Sequence, residues 1–142
     1  MKKYRIGYTQ GVYDMFHVGH LNLINHAKKY CDYLIVGINA DDLVIGYKNK
    51  KPVISQEQRR YIVENIKAVD KAVIVKTLDK VEMLRKYKFN AIFIGDDWKG
   101  NSRWEATKKE LSKYNTDVVF LPYTSDISST ALKLKYNDKI KE

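Results

Sequence analysis

The sequence predicts an α/β fold: a doubly wound sheet of five parallel strands with helices on both faces, built as a single domain over residues 1–142. Three observations carry this. Five short apolar runs alternate with segments of helical periodicity. The first run leads through a glycine-bearing loop into a helix and then into a second apolar run, a βαβ unit whose crossover is right-handed. Four polar clusters, at 11–20, 41–51, 95–98 and 123–130, each follow a strand end, which is where such sheets bind ligands.

Tyr4 to Thr9 is the first strand, and residues 18–30 form the first helix, with Leu21, Leu23, Ile24 and Ala27 on one face. Tyr33-Leu34-Ile35-Val36-Gly37-Ile38 is a continuous apolar run, the pattern of a strand covered on both faces. Asn39 to Asp42 end it, and a basic loop, 46–52, closes at Pro52. Ser55 caps the next helix, Gln58 stands at the capping-box position, and Tyr61, Ile62, Ile66 and Val69 form the apolar face. Ala72 to Val75 is the third strand, and Val81, Leu84 and Tyr87 mark a short amphipathic helix after Thr77. Ala91 to Ile94 is the fourth strand, ending at Gly95-Asp96-Asp97-Trp98. Residues 102–113 make a helix capped by Ser102, with Trp104 and Leu111 as its apolar contacts. Asp117 to Leu121 is the fifth strand, stopped by Pro122. A final helix runs from Ile127 to about Asn137, capped by Ser128 or Asp126; residues 132–142 are its end and a Lys/Glu tail.

Composition narrows the function classes. Hydrophobic content of 44% and charged content of 30% are those of a soluble globular protein. No apolar run reaches the length of a membrane span, and Met1-Lys2-Lys3 leads straight into a strand without a signal-peptide core. A lone cysteine, Cys31, forms no internal disulfide, so a reducing cytoplasm is the expected location. The net charge of +9 raises nucleic acid as a partner. Lysines dominate that charge, however, and are scattered over many helix faces; the densest cluster, Lys48-Asn49-Lys50-Lys51, lies in one loop. A loop facing a small polyphosphate explains that cluster, and nucleic-acid binding is not expected.

The chain is organised around Gly11-Val12-Tyr13-Asp14-Met15-Phe16-His17-Val18-Gly19-His20. A helix N-terminus presents unpaired N–H groups and the positive end of the helix dipole, which suits a phosphate. Gly11 lets backbone approach a ligand, and Gly19 leaves room beside the imidazoles. Histidines three apart on a first turn point the same way, so His17 and His20 can both donate to one anion. A zinc pair is disfavoured, because only Cys31 and His26 remain as further nitrogen or sulfur ligands. Lys48 and Lys50 meet the need for cations where two polyanions are brought together. The carboxylates of Asp96 and Asp97 can accept from ribose hydroxyls or an amine, and Trp98 can pack over a base. Hydroxyls of Thr124, Ser128, Ser129 and Thr130 at a second helix mouth make a second phosphate cradle.

Gly-x-Tyr-Asp-x-x-His-x-Gly-His resembles the His-x-Gly-His signature of the small cytidylyltransferases, most closely the glycerol-3-phosphate cytidylyltransferases, members of a nucleotidylyltransferase superfamily with Rossmann-like folds. Gly95-Asp96-Asp97-Trp98 resembles a segment of that family residue for residue, and the likeness covers nearly the full length. The resemblance implies CMP transfer from CTP to a small phosphorylated alcohol by direct in-line attack, with Mg²⁺ on the triphosphate and a homodimeric enzyme serving cell-wall, teichoic acid or lipid assembly. It implies catalytic roles for His17, His20 and Lys50, and nucleotide contacts from Val12, Tyr13, Gly19, Asp96, Asp97, Trp98, Thr124, Ile127, Ser128, Ser129 and Thr130. Lys48, Arg59 and Lys67 fall at its substrate-contacting positions, and Asp14 is a water-mediated helper of the metal. Val12 replaces a family threonine; Tyr123, Ser125 and Asp126 replace arginine, glutamate and glycine, and loss of the guanidinium is expected either to weaken β,γ-phosphate binding or to shift it to a lysine such as Lys133. Two other readings stand beside this one: ATP in place of CTP, and a non-catalytic nucleotide- or nucleic-acid-binding module.

Overall fold

The computed structural model describes residues 2–122. Its elements are β1 (Tyr4–Gly11), α1 (Val18–Lys28), β2 (Cys31–Asn39), α2 (Asp41–Lys48), α3 (Gln56–Glu64), β3 (Lys71–Val75), α4 (Lys80–Tyr87), β4 (Ala91–Gly95), α5 (Ser102–Ser112) and β5 (Asp117–Leu121), with a 3₁₀ turn at Asp96–Trp98. The five strands form one sheet in the order β3-β2-β1-β4-β5, and every pairing is parallel. The chain works outward from β1 to β3, then crosses back to β4. Strand order therefore reverses at β1 and β4, and sheets of this kind bind ligands outside the carboxyl ends of the strands at such a point.

Two cores cover the two faces. Ile24 and Ala27 of α1 and Val63 of α3 pack with Leu34, Val36, Ile38 and Phe93. Met83 and Leu84 of α4 and Trp104 and Leu111 of α5 pack with Tyr8, Ile35, Ile92 and Val118 on the other side. Tyr8 stacks on Phe89, ring centroids 4.7 Å apart. Each such buried apolar side chain contributes roughly 1.5–3 kcal/mol. At Gly7 a side chain has no room: a Cβ there would lie 2.6 Å from Phe93 Cε2 and 2.7 Å from Cys31 Sγ.

The expected strands are present, β1 and β2 each longer than their apolar runs. Three expectations are corrected. Residues 41–48, read as strand end and loop, form α2, with Asp41 and Asp42 in its positive first turn, Val44 buried and Asn49 ending it at φ 60°. The apolar face expected on α3 is only half right: Ile66 and Val69, in the turn beyond the helix, reach the core. Tyr61 and Ile62 are exposed, while Arg59 and Val63 are buried. Asn101, one residue before Ser102, caps α5 by accepting from the Arg103 and Trp104 amides. The expected final helix lies outside the described residues.

Candidate active site

His17, with extended backbone, is the N-cap of α1. The Gly19 amide donates to its Nδ1 at 3.0 Å, and the His17 amide donates to Nδ1 of His20 at 3.2 Å. The pair is a capping box built from two imidazoles in place of the usual hydroxyl and carboxylate. A ring nitrogen that accepts carries no proton, so this network assigns both histidines as neutral tautomers with the proton on Nε2. The rings stack with centroids 3.9 Å apart. Both Nε2–H donors thus face away from the helix backbone, at the positive end of its dipole.

Burial lowers both imidazoles below the ordinary histidine range. His20 falls from 6.5 to about 4, through desolvation and then the His17 charge, with Asp14 opposing. Burial alone lowers His17. His20 is wedged between Tyr13 and Phe16, ring centroids 5.3 Å and 5.2 Å away. At neutral pH the site therefore offers two fixed, uncharged donors.

The loop before the helix is held in a strained shape. Tyr13 (φ 54°) and Met15 (φ 50°) occupy the left-handed region on either side of Asp14, at a cost of about 1–2 kcal/mol each. Their kink sets Asp14, which is buried, to accept from the Val53 amide at 2.8 Å and the Ile54 amide at 2.9 Å. Asp14, expected as a water-mediated helper of the metal, forms a clasp between the histidine loop and the end of the basic segment.

Arg59 stands differently from its expectation. Expected to face substrate, its side chain is fully buried. Its guanidinium donates to Ile54 O, Val12 O, Asn39 O and Asp41 Oδ1 at 2.6–2.9 Å. Arg59 therefore ties the histidine loop to the ends of β2 and the basic segment. Lys67 is exposed in the turn between α3 and β3, at the sheet edge where β3 begins. That edge is opposite the one holding the histidines, so within one chain the fold does not bring Lys67 to them.

The remaining expected residues within 2–122 lie at the carboxyl edge. Val12 adjoins the histidines through the loop and accepts from Arg59, and Gly19 caps His17. Lys48 ends α2, its ammonium 6.0 Å from the Tyr47 ring, and Lys50 is exposed just beyond. Asp96, Asp97 and Trp98 form the exposed 3₁₀ turn after β4, where burial and the neighbouring Asp96 raise the Asp97 carboxyl. Thr124, Ile127, Ser128, Ser129 and Thr130, with Tyr123, Asp126 and Lys133, lie outside the described residues. Among the described residues, no group of three or more His, Cys, Asp or Glu side chains is placed to hold a metal. The described donor set does not fit a protein-built metal centre.

Sequence reasoning missed a polar chain along the strand ends. Tyr8 donates to Gln10 Oε1 at 2.6 Å, Gln10 Nε2 donates to Asn39 Oδ1 at 2.9 Å, and Asn39 Nδ2 donates to the Tyr47 hydroxyl at 3.0 Å. The signal was slight: single amides, Gln10 and Asn39, ending otherwise apolar strands.

Comparison with known proteins gives the family and the fold. Residues 8–135 match the family described as cytidylyltransferase-like. A glycerol-3-phosphate cytidylyltransferase of Bacillus spizizenii is 37% identical over 126 residues, 88% of this chain and 92% of that protein. Another protein of that name, from Bacillus subtilis, is 35% identical over the same shares. Among solved structures, a lipopolysaccharide core biosynthesis protein of Thermoplasma volcanium superposes with TM-score 0.71 at 22% identity, over 85% of this chain and 97% of that one. A pantothenate synthetase of Thermus thermophilus does so with TM-score 0.70 at 14% identity, over 99% of this chain and 66% of that one. These two likenesses are of fold. With its paired helix-mouth histidines, its sheet order and a match over most of its length, this chain belongs to the cytidylyltransferase-like family.

Proposed function

We propose that the enzyme transfers CMP from CTP to glycerol 3-phosphate, releasing pyrophosphate and forming CDP-glycerol, an activated donor for cell-surface polymer assembly. The relatives' names support the substrates. The observation that carries the chemistry is the pair of Nε2–H donors fixed at the mouth of α1.

An acceptor phosphate oxygen attacks the α-phosphorus as the bond to the pyrophosphate oxygen breaks, so no enzyme nucleophile is needed. His17 and His20 hydrogen-bond the α-phosphate and the leaving oxygen, where negative charge grows in the transition state. Being neutral and preorganised, they do not reorient as that charge develops. Lys48 and Lys50 bring cations to the meeting of two polyanions. Asp96, Asp97 and Trp98 hold the ribose and base, and Thr124, Ile127, Ser128, Ser129 and Thr130 hold the outer phosphates. When bound, Mg²⁺ carried on the triphosphate screens its charge. The reading extends to a cytoplasmic homodimer, which analytical ultracentrifugation tests.

A pyrophosphate-release screen of CTP and ATP against small phosphomonoesters tests the assignment. Turnover with CTP and glycerol 3-phosphate is expected. Turnover with ATP alone, or with other acceptors only, would overturn it.

A further inference from the structure

We propose that Asn39 and Tyr47 are positioning residues for the reaction: the hydrogen bond between them pins the end of α2 to the sheet and so sets Lys48 and Lys50 beside the histidine loop. The proposal rests on the reading that these lysines meet the phosphates, and it gives work to two side chains which that reading left unused.

α2 is held loosely for a helix that leads into functional cations. Val44 is the one buried residue among its eight. Its first turn is tied down, because Asp41 accepts from Arg59 and from the Gln56 amide. Its last turn contains Gly46, a poor helix former, and leaves Ile45, Tyr47 and Lys48 exposed. There the Tyr47 hydroxyl, accepting from Asn39 Nδ2 at 3.0 Å, reaches back to the end of β2.

The floor beneath that hydroxyl has a single arrangement. Thr77 O can only accept, so Gln10 must turn Nε2 toward it, at 2.9 Å, and Oε1 toward Tyr8. The same Nε2 donates to Asn39 Oδ1 at 2.9 Å, which leaves Asn39 Nδ2 to face Tyr47. Tyr8, Gln10 and Asn39 are all buried. Apolar side chains of like shape would serve stability about as well. What a satisfied buried network adds is one fixed geometry, and this one delivers it to Tyr47.

The segment from Lys48 to Pro52 therefore runs between two fixed points. Before it, Tyr47 is held by Asn39; after it, the Val53 and Ile54 amides donate to Asp14. Five residues reach roughly 18 Å at full stretch, so neither lysine strays far from both anchors. Asn49, left-handed at φ 60°, lies within that span. Both anchors refer to the histidine loop: Asp14 belongs to it, and one Arg59 nitrogen donates to both Asn39 O and Val12 O. The Lys48 ammonium lies 6.0 Å from the ring of the anchoring tyrosine itself. Cations placed in advance need no reorganisation as charge develops in the transition state.

Tyr47→Phe removes the hydroxyl and keeps the ring. Pyrophosphate-release kinetics with CTP and glycerol 3-phosphate are measured for wild type, Tyr47→Phe, Lys50→Met and the double variant, beside thermal melts. Tyr47→Phe should lower kcat about tenfold, with the melting temperature within about 4 °C of wild type. In the Lys50→Met background the same change should cost less than about twofold, because the lysine it places is gone. Unchanged kcat in Tyr47→Phe, or losses that simply multiply in the double variant, overturn the proposal. If wild type does not turn over, it is the proposed function that falls. In that case, or if Lys50→Met is too slow to assay, hydrogen exchange decides the anchor. Faster exchange of the Asn49 amide, which donates to Ile45 O, in Tyr47→Phe upholds it, and wild-type exchange overturns it.

Discussion

The rings of His17 and His20 lie one on the other, 3.9 Å between centroids, each Nδ1 accepting from a backbone amide in the first turn of α1. The same bonds that cap the helix set the tautomer of both imidazoles. Folding and chemistry are thus joined at two atoms.

Those two roles separate on substitution. His17→Asn keeps a good N-cap, so the unfolding free energy should stay within about 1 kcal/mol of wild type. The Nε2–H donor is lost, so kcat should fall on the order of 10²-fold with smaller changes in KM. His20→Ala should lose a similar factor. Pyrophosphate-release kinetics beside thermal melts check both, and a variant that turns over normally removes that histidine from the mechanism.

Acid should destabilise the fold through His20. Its folded value of about 4 lies below the 6.5 of an unperturbed histidine. Between those values the unfolded chain binds a proton that the folded one refuses, so this contribution is complete above 6.5 and is lost as pH falls toward about 4. Replacing His20 with Gln should flatten the fall of melting temperature across that window. An imidazole signal titrating near 6.5 in the NMR spectrum of the free enzyme, assigned to His20, would contradict the burial argument.

Removing the buried guanidinium should unfold rather than merely slow the enzyme. Arg59→Met leaves three carbonyls and Asp41 without their donor, a loss of about 3–5 kcal/mol by urea denaturation. Arg59→Lys should recover only part, because one ammonium cannot reach four acceptors arranged around a planar fork. Near-wild-type stability in Arg59→Met would return this residue to the ligand.

Gly37→Ala should disturb the polar floor from below. A Cβ at Gly37 would collide with the Tyr8 hydroxyl that begins the chain to Tyr47. A loss of about 1–3 kcal/mol is expected. In a Tyr8→Phe background the same substitution should cost less, and additive losses in the double-mutant cycle would show that the two do not meet.

Much of this was legible in the chain, and the failures have physical causes. β2 and β4 read directly as apolar runs because a parallel strand is covered on both faces. On α3 the same logic misled, since Tyr61 and Ile62 are exposed while a charged residue is buried. A pattern of apolar residues cannot reveal a buried arginine whose acceptors come from elsewhere. α2 was missed because eight residues with Gly46 near the end hold too little periodicity to stand out.

By itself the sequence determined the sheet, its crossing and the paired histidines, because apolar runs, helix starts and a glycine-framed turn are local properties of neighbouring residues. Only the tertiary structure decided which polar side chains serve the scaffold and which lie open at the strand ends. Arg59 takes its acceptors from Val12, Asn39, Asp41 and Ile54, on separate segments, and Lys67 falls at the opposite edge. The assignment depends on which distant backbone atoms reach a side chain first, and that is settled by packing.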